Sequence, residues 1–269
     1  MQLSFLIMEI AGYAAAILAG IVLGLIGGGG SILTVPILVY LFGIEPVLAT
    51  GYSLFIVGTT SAIGSYNYFK RKLVHISKAI AFGIPSIISV FLTRALILPA
   101  IPSIVMKSGA FTLSKNLFLM LLFAILMLGA SYNMIRKKKE HPSVTGKKPQ
   151  YLLLIINGLF VGLLTGLVGV GGGFMIVPAL VLLSRLPMKE AVGTSLTIIA
   201  ANSLIGFLGE RNMLHFDWPF ILRITAFTIA GILIGIILSK KISGARLKPA
   251  FGWFILAMSI FIIIKETLL

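Results

Sequence analysis

The chain has 269 residues, 58% of them hydrophobic and only 11% charged, with a mean hydropathy of +1.10. Soluble domains carry about 25% charged residues, so this chain lacks the polar groups to cover a water-facing surface and must turn its outside to lipid. Its net charge of +15 rests on 22 Lys and Arg lying between apolar segments, which points to topology and anionic headgroups rather than nucleic acid, and the absence of cysteine excludes disulfides and thiol chemistry.

In chain order the apolar segments are 5–26, 32–43, 47–69, 79–101, 113–135, 151–169, 173–184, 190–209, 217–239 and 250–264. The first follows Met1-Gln2-Leu3-Ser4 with no basic n-region, and Glu9 is the first charge. It reads as a retained span. Most segments approach the roughly 20 residues that a straight span needs. Segments 32–43 and 173–184 are shorter and read as short, deeply embedded helices or re-entrant arms, tolerated only where protein or a water-filled cavity surrounds them. Between 113–135 and 151–169 runs a polar stretch with Arg136-Lys137-Lys138-Lys139 and Lys147-Lys148. The positive-inside rule makes this loop, 136–148, cytoplasmic. Lys70-Arg71-Lys72 with Lys78 falls on the same side. Lys240-Lys241 with Arg246 and Lys248 does so too if both short elements cross. The expectation is ten crossings of an inner membrane with the N-terminus outside.

The chain repeats itself. Gly24-Leu25-Ile26-Gly27-Gly28-Gly29-Gly30-Ser31 through Val35-Pro36 returns 142 residues later as Gly166-Leu167-Val168-Gly169-Val170-Gly171-Gly172-Gly173 through Val177-Pro178. Ala49, Gly51, Ser53 and Leu54 match Ala191, Gly193, Ser195 and Leu196, and Ser61, Ile63 and Gly64 match Ser203, Ile205 and Gly206. A two-residue shift then aligns Arg71 and His75 with Arg211 and His215. Matched Gly, Pro and Ser at one offset do not arise readily from apolar low complexity. The fold class is therefore all-α and polytopic. It has an N-terminal repeat over 1–136, a basic loop over 137–150 and a C-terminal repeat over 151–269. Five segments separate equivalent points, an odd number, so the second repeat is expected to be inverted. Inverted repeats with paired short or broken helices near the midplane are a signature of secondary transporters.

Each glycine run breaks a helix and precedes a short apolar helix with proline at its start (Pro36, Pro178). Freed N–H groups and the helix dipole favour anions there, although small residues also serve close helix packing. The candidate substrate site is Gly28, Gly29, Gly30 and Ser31 with Gly171, Gly172 and Gly173. Hydroxyls of Ser53, Thr194 and Ser195, and Asn202 at the position equivalent to Thr60, complete its shell. The competing role for the hydroxyls is bonding to their own helix carbonyls, and for Asn202 an interhelical bond. Arg94 interrupts an apolar segment and is a candidate charge partner, since intramembrane charge is costly; it could instead snorkel from the segment end. Glu210 and Asp217 flank a turn and could carry protons, but they, like His75 and His215, read as interfacial. No catalytic constellation, metal-ligand set or P-loop is present: there is no HExxH, no Gly-x-Ser-Gly and no acidic cluster, and no glycine run is followed by Gly-Lys-Ser/Thr.

The pair GLIGGGGS…VP with A-x-G-x-S-L, and GLVGVGGG…VP with A-V-G-T-S-L, resembles the TauE/SafE family of sulfite exporters over nearly the whole chain. The resemblance implies a permease for sulfite or small organosulfonates such as sulfoacetate, driven by an ion gradient with the proton as coupling ion and using no cofactor. Lipid headgroups, a small anionic substrate and other copies of the chain are the expected partners. Tyr52 stands where the second copy has Thr194, so the halves are not expected to contribute equally. The rival functions are a membrane-embedded enzyme and a non-transporting assembly or sensor protein.

Overall fold

The computed structural model describes residues 2–28, 30–108, 111–135, 151–169, 172–184, 186–210, 216–239 and 244–268. The basic loop 137–150, Gly29, Gly171, Arg211, His215, Lys240 and Lys241 lie outside them. The helices are α1 (Gln2–Ile26), α2 (Ser31–Leu41), α3 (Pro46–Lys70), α4 (Ile76–Ala100), α5 (Lys115–Ile135), α6 (Tyr151–Val168), α7 (Gly173–Leu183), α8 (Met188–Leu208), α9 (Trp218–Leu238) and α10 (Gly244–Leu268). Among the described residues seven helices are long and apolar enough to cross a membrane, within α1, α3, α4, α5, α6, α8 and α9. The all-α polytopic class holds, with one addition. An antiparallel hairpin, β1 (Ile104–Ser108) and β2 (Phe111–Ser114), joins α4 to α5.

Inside a bilayer every backbone group must be satisfied within the protein, which makes helix the default even for Gly-rich and β-branched sequence. Side chains then choose the faces. On α4, Ile76, Ile80, Ile84 and Ile88 recur every fourth residue and are all exposed, a stripe for lipid. On the opposite side of the same helix, Phe82, Ser86 and Val90 are buried.

α1 and α6 stop for one reason. Gly27 (φ +76°) and Gly169 (φ +74°) take left-handed backbone that other residues rarely adopt. Each caps its helix with a bond of 2.8 Å, from Gly27 N–H to Leu23 O and from Gly169 N–H to Thr165 O. The prolines lie elsewhere than expected. Pro36 and Pro178 are each the sixth residue of α2 and α7, inside the helix rather than at its start. In α2 a π-type turn over Ile37–Leu41 follows directly and absorbs the missing donor.

The halves interlock reciprocally. α1 packs beside α9, with Gly20 on the Thr228 carbonyl and Gly24 on the Ile232 carbonyl. α6 packs beside α4 in the same way, with Gly162 on the Ser86 carbonyl and Gly166 close to the Val90 carbonyl. Each pair is the other shifted by 142 residues. A side chain at Gly20 or Gly162 would overlap that backbone, so these glycines set the interaxial distance. α3 and α8, equivalent by the same offset, run antiparallel: Gly51 lies by Glu210, Gly58 by Leu204, Gly64 by Leu196, and Gly193 by Tyr68. α5 packs on α10, where Phe123 and Met127 join the apolar cluster that holds Ile255 and Ile262.

Candidate functional site

The two glycine breaks meet. Gly28 lies against the Gly173 backbone closely enough that a Cβ on either would overlap the other. Around this crossing the contacts are again reciprocal. Gly27 packs on Val192, and Gly169 packs on Thr50, its equivalent. The glycine run of each half therefore sits on the A-x-G-x-S-L helix of the other, a pairing that the repeat alone did not specify. Gly30 instead turns toward α1, over the Ala19 carbonyl, and Gly172 (φ +65°) sits on the Thr165 hydroxyl. Gly29 and Gly171 fall outside the described residues.

The hydroxyls divide into those occupied by the fold and those left open. Ser31 Oγ donates to Gly28 O at 2.7 Å and Ser195 Oγ to Gly27 O at 2.6 Å, both fully buried. These bonds hold the first break in place. Ser53, equivalent to Ser195, is equally buried, and its hydroxyl has no partner among the described residues. Thr60, Ser61 and Ser203 share that condition, as does Asn202 Oδ1. Asn202 spends its Nδ2 on Ser86 Oγ at 2.6 Å. Buried polar atoms are normally bonded, and each exception needs an explanation.

Thr194 has a further task. Its Oγ1 accepts the His75 backbone N–H at 3.0 Å, at the start of α4. Tyr52, the equivalent residue, accepts the Asp217 backbone N–H at 3.0 Å, at the start of α9. The unequal residues do one job at the same distance, so the Tyr52 departure leaves this contact between the halves intact. His75 also meets Glu190 across the halves, Nε2 to Oε2 at 2.5 Å.

At Arg94 the snorkelling alternative falls, and at Glu210 the interfacial reading is overturned. Arg94 does not snorkel and Glu210 is not solvated at an interface. Arg94 is 1% exposed, and its Nη1 donates to Glu210 Oε2 at 2.8 Å, with the carboxylate side chain 8% exposed. The pairing was illegible because the two residues lie 116 positions apart. Sequence reasoning also passed over Ser86 and Thr165. Ser86 could have been found as the repeat partner of Thr228, and Thr165 by its place one turn before the Gly169 break. Among the described residues no group of three or more His, Asp or Glu could hold a metal ion.

Comparison with known proteins places the chain among membrane transporters. The family model described as sulfite exporter TauE/SafE matches residues 13–262. A probable membrane transporter protein of Xylella fastidiosa (strain 9a5c) is 28% identical over 259 residues, covering 91% of each chain. The probable membrane transporter protein YunE of Bacillus subtilis (strain 168) is 29% identical over 255 residues, covering 89% of this chain and 90% of its own. A probable membrane transporter protein of Haemophilus influenzae is 26% identical over 273 residues. No solved structure matches the chain.

Proposed function

This chain belongs to the sulfite exporter TauE/SafE family, whose members here are named as membrane transporters, and on that premise we propose that it is a secondary transporter of a small sulfur-containing anion, sulfite or an organosulfonate such as sulfoacetate. The observation that carries the reading is the crossing of Gly28 and Gly173, where two interrupted helices meet. Backbone freed at such breaks binds anions through N–H groups and the helix dipole. Transporters with inverted halves place their sites at the meeting point of discontinuous helices.

In this reading the anion sits beside the crossing, held by backbone of the two breaks and by the open groups of Ser53 and Asn202. Ser195 acts on the frame by fixing the Gly27 carbonyl. The antiparallel α3 and α8 form the axis about which the two inverted halves rock. Access then alternates as the contacts at one end of that pair open and those at the other close. The loop 136–148 faces the cytoplasm, and an ion gradient, with the proton as coupling ion, drives the cycle.

The test is flux of radiolabelled sulfite and sulfoacetate into proteoliposomes holding the purified chain, with and without a pH gradient. Ser53→Ala and Asn202→Ala are expected to lower the flux at least tenfold in folded protein, and collapse of the gradient to remove accumulation. Wild-type rates in both variants would refute the site. Absence of flux for every sulfur anion tried would refute the substrate class.

A further inference from the structure

Arg94 is held in a way that the ion pair with Glu210 does not exhaust. The guanidinium carries five N–H donors. Nη1 is taken by Glu210, whereas Nε and Nη2 are buried without a partner among the described residues. Those two nitrogens form the side-on edge of the guanidinium, the pair of parallel donors that matches two oxygens of one oxyanion. Leaving a charged donor edge dry and unpaired is costly. The surroundings are polar as well. Arg94 lies in a π-type turn of α4, Thr93–Ile97, a distortion found often at functional sites. Thr93 Oγ1 on the neighbouring residue is buried without a partner among the described residues, and Thr93 packs on Gly166 of α6. One turn further along α4, Lys115 brings its ammonium to the Leu98 carbonyl at 2.6 Å.

We propose that the Nε–Nη2 edge of Arg94 is a second anion station, separate from the glycine crossing, that binds one oxyanion at the end of the molecule where α3 and α5 begin. Thr93 and Lys115 are its neighbouring donors, and Glu210 holds the guanidinium so that this edge stays open. Among the described residues the station has no counterpart at the other end. The positions equivalent to Arg94 and Glu210 are Ile236 and Tyr68, an uncharged pair in one buried cluster. α5 runs from Lys115 toward the 136–148 loop, so the station lies at the face opposite that loop. Its role is to concentrate the anion at that face, one step from the crossing. Two adjacent donors select an anion with two oxygens on one atom over a halide.

The test uses the full chain in lipid nanodiscs, with inorganic sulfite as probe, chloride as competitor, and calorimetric titration as readout. Wild type is expected to bind sulfite at two resolvable components. Arg94→Lys keeps a cation opposite Glu210 but loses the edge, and should weaken one component at least tenfold with unliganded melting unchanged. Should Arg94→Lys fail to fold, the double variant Arg94→Met/Glu210→Gln removes the pair without leaving a lone charge, and should lose the same component. Ser53→Ala should retain it, which separates the station from the crossing. Sulfite binding by either folded Arg94 variant at wild-type strength and stoichiometry would overturn the proposal, and so would displacement of that component by equimolar chloride. Loss in Ser53→Ala together with no change in Arg94→Lys would leave the crossing and remove the station.

Discussion

The two ends of the α3–α8 pair are built on one plan and filled with different chemistry. At one end the start of α3 meets the end of α8, and Arg94 and Glu210 form a buried ion pair beside Gly51. At the other the end of α3 meets the start of α8. There the equivalent positions are Ile236 and Tyr68, whose hydroxyl donates to Gly24 O at 3.1 Å. Backbone packing is conserved between the ends, with Gly51 and Gly193 in matching places. Duplication therefore supplied a symmetric frame, and the side chains broke the symmetry. Among the described residues a buried ion pair stands at one end and its equivalents at the other are uncharged, which gives the two ends different chemistry.

The largest effect should come from breaking the charged end. Glu210→Ala strands a buried guanidinium and should cost about 3–5 kcal/mol. Tyr68→Phe at the opposite end should cost about 1 kcal/mol, since it removes neutral hydrogen bonds alone. Thermal melting in detergent checks both, and equal losses would end the contrast. Next come the matched glycines. Gly20→Ala and Gly162→Ala should each cost about 1–3 kcal/mol, because a methyl must push α1 from α9 or α6 from α4. Similar values at the two sites would sharpen the reciprocal packing, and a large inequality would argue against it.

Equivalent serines should part company by readout. Ser195→Ala leaves the Gly27 carbonyl without its bond and should lower stability by about 1–3 kcal/mol. Ser53→Ala removes a hydroxyl with no partner among the described residues, so melting should hold while sulfite flux falls. The smallest effects should come from the helix starts. Thr194→Val and Tyr52→Phe each free one backbone N–H, at His75 and Asp217, for about 1 kcal/mol or less. Melting scans of the two variants should shift alike.

Much of the fold was legible in the residue order. Segment lengths and apolarity gave the helices, and the two glycine runs gave the two breaks. The 142-residue offset gave the pairing of motifs, and it matches the reciprocal contacts of Gly27 with Val192 and Gly169 with Thr50. Local reasoning misplaced Pro36 and Pro178, because proline can sit inside a helix when a π-type turn or neighbouring chain accommodates it. Of the candidate site residues, Ser53 Oγ and Asn202 Oδ1 are buried without a partner among the described residues. Ser31, Thr194 and Ser195 turned out to have hydroxyls engaged by backbone groups. No sequence signal separates these cases, since a hydroxyl in an apolar helix looks the same whether it faces a carbonyl or a cavity.

What the sequence by itself determined are the properties carried by composition and by spacing along the chain: a lipid-facing surface, helices of spanning length, two breaks and a duplication. These depend on transfer energies and on backbone freedom, which act within a few residues. Only the tertiary structure decided which half supports which. It brought Gly28 onto Gly173, ran α3 antiparallel to α8, and joined Arg94 to Glu210 across 116 positions. Those outcomes rest on contacts between residues far apart in the chain, where close packing and the cost of an unpaired buried charge select one arrangement.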